Sequence, residues 1–143
     1  MQIQQLSIFV ENKAGRLMEI VDVLKKNNIN ISALSLADTT DFGVLRMIVC
    51  DPQKAQDALK KSGVIVKTTS VLALPIDDTP GGLADMLSIL ANEAVAVEYM
   101  YAFATRKEGK AVMVLRVDDA AKAQSVLSAK GFGDVNAAEL FQN

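Results

Sequence analysis

Histidine and tryptophan are absent from this chain of 143 residues, and cysteine occurs once. Without histidine there is no Ser-His or Cys-His nucleophile pair and no His-ligated zinc. One cysteine can neither close an intramolecular disulfide nor build a thiolate cluster, a usage that fits a reducing compartment. No metal and no cofactor is therefore expected. Only three prolines and a residue set that is half hydrophobic argue against disorder. Aromatic residues make up 5%, so the core has to be built from Val, Ile, Leu, Ala and Met. Fifteen basic and 17 acidic residues leave a net charge of −2 with no basic run, so the footprint of a nucleic-acid binder is missing. No stretch approaches the roughly 18 apolar residues that cross a bilayer. Met1-Gln2-Ile3-Gln4-Gln5 is unlike a signal peptide. The expected location is the cytoplasm, away from membranes.

What the chain does contain is an internal repeat. Asn12-Lys13-Ala14-Gly15-Arg16-Leu17 aligns with Asp78-Thr79-Pro80-Gly81-Gly82-Leu83 at an offset of 66 residues, and Lys54-Ala55-Gln56 with Lys122-Ala123-Gln124 at an offset of 68. A longer turn around Arg106 to Lys110 accounts for the drift. Within each copy the hydrophobic period changes in the same order. Leu6, Ile8 and Val10 alternate as in a strand with one buried face. Leu17, Ile20, Val21 and Leu24 fall at i, i+3, i+4 and i+7, one face of a helix, and Leu83, Met86, Leu87 and Leu90 repeat that spacing.

Extended segments follow at Ile29 to Thr39 and Val95 to Thr105, with hairpin turns at Asp41-Phe42-Gly43 and Glu108-Gly109-Lys110. The strands Val44 to Cys50 and Ala111 to Val117 are almost continuously apolar, as in a central strand covered on both faces. Cys50, at the end of one of them, reads as a small buried hydrophobe. Asp51 caps the next helix with Pro52 at its first position, and Gly63 and Gly131 stop the second helix of each copy. Closing strands are expected at Val64 to Thr69 and Val135 to Phe141. The first closing strand and the second copy's opening strand, near Val71, must abut or merge. The fold class is α+β: two ferredoxin-like βαββαβ units in tandem, residues 1–70 and 71–143, with antiparallel sheets and the helices on one face.

The loop Glu11-Asn12-Lys13-Ala14-Gly15-Arg16-Leu17, followed by Asn28-Ile29-Asn30-Ile31, resembles the ACT domain, a regulatory module found on and beside enzymes of amino-acid biosynthesis. The second loop, Asp78-Thr79-Pro80-Gly81-Gly82-Leu83, is similar to it as well, so the resemblance covers nearly the whole chain. It implies an amino-acid ligand held where two such units meet, by the loop after the first strand and by the start of a second strand. Carried over by position, the contacts are Asn12, Ala14, Gly15, Arg16 and Leu17 with Asn30 and Ile31, and Asp78, Pro80, Gly81, Gly82 and Leu83 with Val97. Ala96 stands where the first copy has Asn30, so the second site is expected to be weaker or differently selective.

Elementary chemistry points the same way. A glycine at a helix start lets a ligand approach the backbone, and the free N–H groups there attract a carboxylate. Asn12 or Asp78 can accept from an α-ammonium group. Each is equally well read as an N-cap or Asx turn that starts a helix. Arg16 and Arg46 read as solvated or salt-bridged. Tyr99, Tyr101 and Phe103 alternate with apolar Met100 and Ala102, and Leu34 and Leu36 sit in the matching segment. Sheets apolar on both faces need cover beyond their own helices, which predicts a homodimer or packing between halves.

The leading reading is a free-standing amino-acid sensor acting on a metabolic enzyme partner, and not itself an enzyme. An acylphosphatase-like hydrolase is the alternative. It needs a phosphate-cradling loop with Arg and an amide to position water, and residues 42–51 contain no Asn. An RNA-binding sheet needs central aromatics, and Val44 to Val49 contains none.

Overall fold

A computed structural model gives the structure of the protein over residues 1–38, 41–133 and 137–141. The elements run β1 (Gln2–Glu11), α1 (Arg16–Lys26), β2 (Ile31–Asp38), β3 (Phe42–Val49), α2 (Pro52–Lys61), β4 (Val66–Asp77), α3 (Gly82–Asn92), β5 (Val97–Ala102), β6 (Lys110–Val117), α4 (Ala120–Ala129) and α5 (Ala137–Leu140). Contacts divide them into a first unit, Gln4–Thr69, and a second, Met1–Ile3 with Ser70–Asn143. The first unit has strand order β2-β3-β1-β4 and the second β1-β4-β6-β5. The pairings of β1 and β2 with β3, and of β4 and β5 with β6, are antiparallel. The closing and opening strands near residue 70 have merged: β4 is continuous from Val66 to Asp77. No helix among the described residues is long and apolar enough to cross a membrane.

Registers show which face each side chain takes. Leu6 pairs with Met47 and Ile8 with Leu45, and these residues join Ile20 and Leu24 of α1 and Ala55 and Leu59 of α2 in one core. Both helices therefore lie on one face of the sheet. In the second unit Leu72 pairs with Leu115, and Met86, Leu90, Ala123 and Leu127 come from its two helices. Each such buried aliphatic side chain contributes about 1.5–3 kcal/mol before chain entropy is subtracted.

The repeat reaches down to backbone angles. Gly15 and Gly81, which precede α1 and α3, have φ/ψ of 86/−14 and 92/−17. Asp51 and Asp119, which precede α2 and α4, have −133/87 and −131/87. Asp51 caps α2 as expected, its Oδ1 accepting from the Lys54 N–H at 3.0 Å, and Asp119 does the same for Lys122. Asp51→Ala is expected to cost about 1 kcal/mol in urea unfolding, with Asp119→Ala a matched second measurement. An unchanged midpoint would show that water replaces the cap at no cost.

Three expectations need correction. The segment read as a closing strand at Val135 to Phe141 is the short helix α5 over Ala137–Leu140, with Val135 outside the described residues. Leu140 is buried, and the Phe141 ring lies 6.3 Å from Phe103. The Phe103 N–H donates to the Val112 carbonyl, and Val112 sits on the face opposite the helix-side core. Instead of a strand, the chain thus supplies cover for the second face of this sheet. The place beside β4 is taken by Met1–Ile3, where the Ala73 N–H donates to the Met1 carbonyl at 2.8 Å.

Second, Cys50 is exposed, because β3 ends one residue earlier at Val49. Third, Phe42 and Gly43, read as turn residues, already belong to β3, while Thr39 and Thr40 lie outside the described residues. The other turn holds, with Glu108 and Gly109 both at positive φ.

Candidate functional site

The loop from β1 into α1 is built by its own backbone. The Asn12 N–H donates to the Asp41 carbonyl at 3.1 Å, Lys13 N–H to Glu11 at 2.8 Å and Arg16 N–H to Lys13 at 3.3 Å. Gly15 then turns the chain through the left-handed region, and Glu19 N–H donates to its carbonyl. The second loop repeats this: Asp78 N–H donates to Gly109, Gly82 to Thr79 and Asp85 to Gly81. Gly15 and Gly81 occupy the N-cap positions without any side-chain cap, so Asn12 and Asp78 do not cap these helices. The Leu17 and Met18 amides open α1, where no earlier turn provides carbonyls.

Around the first loop the charges are partly internal. Glu11 faces Lys13 at 3.1 Å and Arg16 at 3.8 Å, and Arg16 also bonds Glu19 at 3.0 Å. The hydrogen bond from Lys13, reinforced by the charges of Lys13 and Arg16, holds the Glu11 carboxyl below the usual carboxylate range. Because the folded value is lowered, this stabilisation is present above the unfolded carboxylate range and is lost as pH falls through the lowered one. At this exposed position salt screens it.

The two loops differ in what flanks the glycine. Arg16 follows Gly15, whereas Gly82 follows Gly81 and is buried, with the Asp77 carbonyl oxygen 2.1 Å from where a Cβ would stand. The Asp78 carboxylate is engaged by Arg106 at 2.7 Å, and Lys110 pairs with Asp77, so the β5–β6 turn is clasped to this loop. Pro80 and Gly81 are exposed and Leu83 partly so.

Within one unit the structure does not bring loop and strand-start residues together. Asn12 lies beyond the Glu11–Phe42 pair at one end of β3, while the Asn30 carbonyl accepts from Cys50 at the other. Eight residues of strand separate these ends by about 25 Å. Ile31 pairs with Val49 and packs on the core there, and Val97 pairs with Val117 in the second unit, well away from Asp78.

A pocket of about 270 Å³ lies beside the first loop, lined by Val10, Glu11, Asn12, Lys13, Leu17, Leu36, Asp38 and Gly43. Asn12 and Leu17 are the predicted residues that reach it, while Ala14 and Gly15 stand exposed in the loop. Sequence reasoning missed Leu36, Asp38 and Gly43, which the β2–β3 pairing carries to the loop through the Asp38–Gly43 pair. Their only signal was their nearness to the hairpin turn. A larger depression of about 470 Å³ lies against Phe9, Arg16, Phe42 and Ile65. Its one lining cation, Arg16, is bonded to Glu11 and Glu19, whereas the smaller pocket brings Asn12 together with Asp38, which makes it the better candidate for a charged ligand.

A family profile for the ACT domain pair matches residues 1–142. No curated protein matches the chain. Among solved structures, protein BT0572 from Bacteroides thetaiotaomicron is 43% identical, with a TM-score of 0.92 over 100% of this chain and 98% of that one. The ligand-free regulatory subunit of aspartate kinase from Thermus thermophilus is 14% identical, with a TM-score of 0.63 over 99% and 96%. Its counterpart from Thermus flavus is 15% identical, with 0.59 over 99% and 93%. The last two share the fold.

Proposed function

This chain belongs to the ACT domain-pair family, and from that premise we propose that it is a non-catalytic, cytoplasmic regulatory protein that binds a free amino acid at its first β1–α1 loop. The pocket beside that loop carries the reading. Its volume, about 270 Å³, lies just below the range of roughly 300–1,000 Å³ typical of drug-sized ligands, which suits one amino acid better than a nucleotide. Asn12 and Asp38 serve the ammonium group, and the Leu17 and Met18 amides the carboxylate. The second loop is the weaker site, since the Asp78 carboxylate already holds Arg106. The half-exposed Leu34 and Leu36 on β2 favour a homodimer. The regulatory aspartate kinase subunits that share this fold make a metabolic enzyme the favoured partner class.

A thermal-shift screen of the common amino acids tests this. At 100 times its dissociation constant a ligand stabilises the fold by about 2.7 kcal/mol, a rise of roughly 2–5 °C. Asn12→Ala should abolish the rise and leave the unliganded melting temperature unchanged, because Asn12 caps no helix. A screen in which no amino acid raises the melting temperature would refute the proposal.

A further inference from the structure

We propose that the ligand of the first loop carries a short aliphatic side chain, as L-leucine does, with Leu36 the residue that selects it; this rests on reading that loop as an amino-acid site. The pocket sorts into two chemistries. Asn12, Lys13 and Asp38 are polar; Lys13 is bonded to Glu11, and Asp38 makes no ion pair among the described residues, so its carboxylate is the one offered to an ammonium group. Val10, Leu17 and Leu36 form an apolar wall. The remaining carboxylate, Glu11, is occupied by Lys13 and Arg16, so a second cationic group on the ligand finds no free partner there. An acidic side chain would meet both Asp38 and Glu11, and Lys13, the one lining cation, is already bonded to Glu11.

Leu36 is the part of the wall that a ligand would cover. It is 50% exposed, although it pairs with fully buried Leu45 and shares the helix-side face. Its position depends on Gly43. The Leu36 Cδ1 lies 2.9 Å from where a Gly43 Cβ would stand, so the missing side chain is what lets Leu36 fold over the strand into the pocket. A Gly43→Ala substitution would displace it.

The test is calorimetric titration of the full chain with L-leucine, L-alanine, L-lysine and L-aspartate. L-leucine is expected to bind about tenfold or more tightly than the other three, the scale of discrimination that a few methylenes in an apolar pocket provide. Leu36→Asn and Gly43→Ala should each weaken L-leucine by a similar factor. Should either variant fold poorly, the L-leucine to L-alanine ratio on the unmodified protein decides, and equal affinities overturn the proposal. Unchanged L-leucine affinity in a folded Leu36→Asn overturns the role of Leu36. Tighter binding of L-lysine or L-aspartate that is lost in Asn12→Ala overturns the aliphatic class while the loop site stands. No heat from any amino acid, or binding indifferent to Asn12→Ala, removes the loop site and this inference with it.

Discussion

Gly82→Ala is expected to destabilise the protein by about 3 kcal/mol or more, at or beyond the upper end of what overpacking usually costs. A Cβ there would stand 2.1 Å from the Asp77 carbonyl oxygen, a backbone atom that no rotamer change can move aside. Either the start of α3 shifts away from β4 or the end of β4 is distorted, and both disturb the core around Met86 and Leu90. The matched substitution in the first copy, Arg16→Ala, removes only half-exposed ion pairs and should cost less than about 1 kcal/mol. Urea unfolding of the two variants side by side measures the contrast. A Gly82→Ala midpoint close to that of Arg16→Ala would mean that α3 does not sit against β4 as described.

Leu45→Ala and Leu115→Ala are each expected to cost about 2–5 kcal/mol, the range for a large-to-small change in a closed core. Both side chains are fully buried, each on the strand that runs between two neighbours, and each pairs with another core residue, Ile8 or Leu72. The two positions lie in different units and are buried alike. Denaturant unfolding should therefore give losses of similar size for the two variants. A loss below about 1 kcal/mol at either would contradict the burial assigned to it.

The sequence pattern carried most of the fold because its signals were local and repeated. Period-3.6 leucines, Asp51 with Pro52, and the stop glycines Gly63 and Gly131 each depend on neighbours within one turn. What did not show was long-range. The alternation in the second strands slips by one residue between Ile31 and Leu34, and again between Val97 and Met100. Pairing reveals the cause, a bulge at Ile31/Ala33 and another at Val97/Tyr99. Without the bulge, a reading of these strands sees apolar residues on both faces. With it, Leu34 and Leu36 take the helix side.

The final segment misled for a related reason. Its apolar residues suit a strand, but the place beside β4 is held by Met1–Ile3, and nothing in residues 135–141 records that. At the site, the loop motif named Asn12 and Leu17, which line the pocket beside the first loop. It could not supply Leu36 and Asp38, which come from a strand more than 15 residues away, nor Arg106, which reaches Asp78 only through the folded hairpin.

Amide chemical-shift mapping of the full chain during titration with L-leucine is the decisive measurement for a ligand site at the first loop. The largest shifts are expected on Asn12 to Met18, Leu36, Asp38 and Gly43, and Asn12→Ala should remove them. Shifts confined to Phe9, Phe42 and Ile65 around the larger depression, or to the second loop at Asp78 to Leu83, would contradict it.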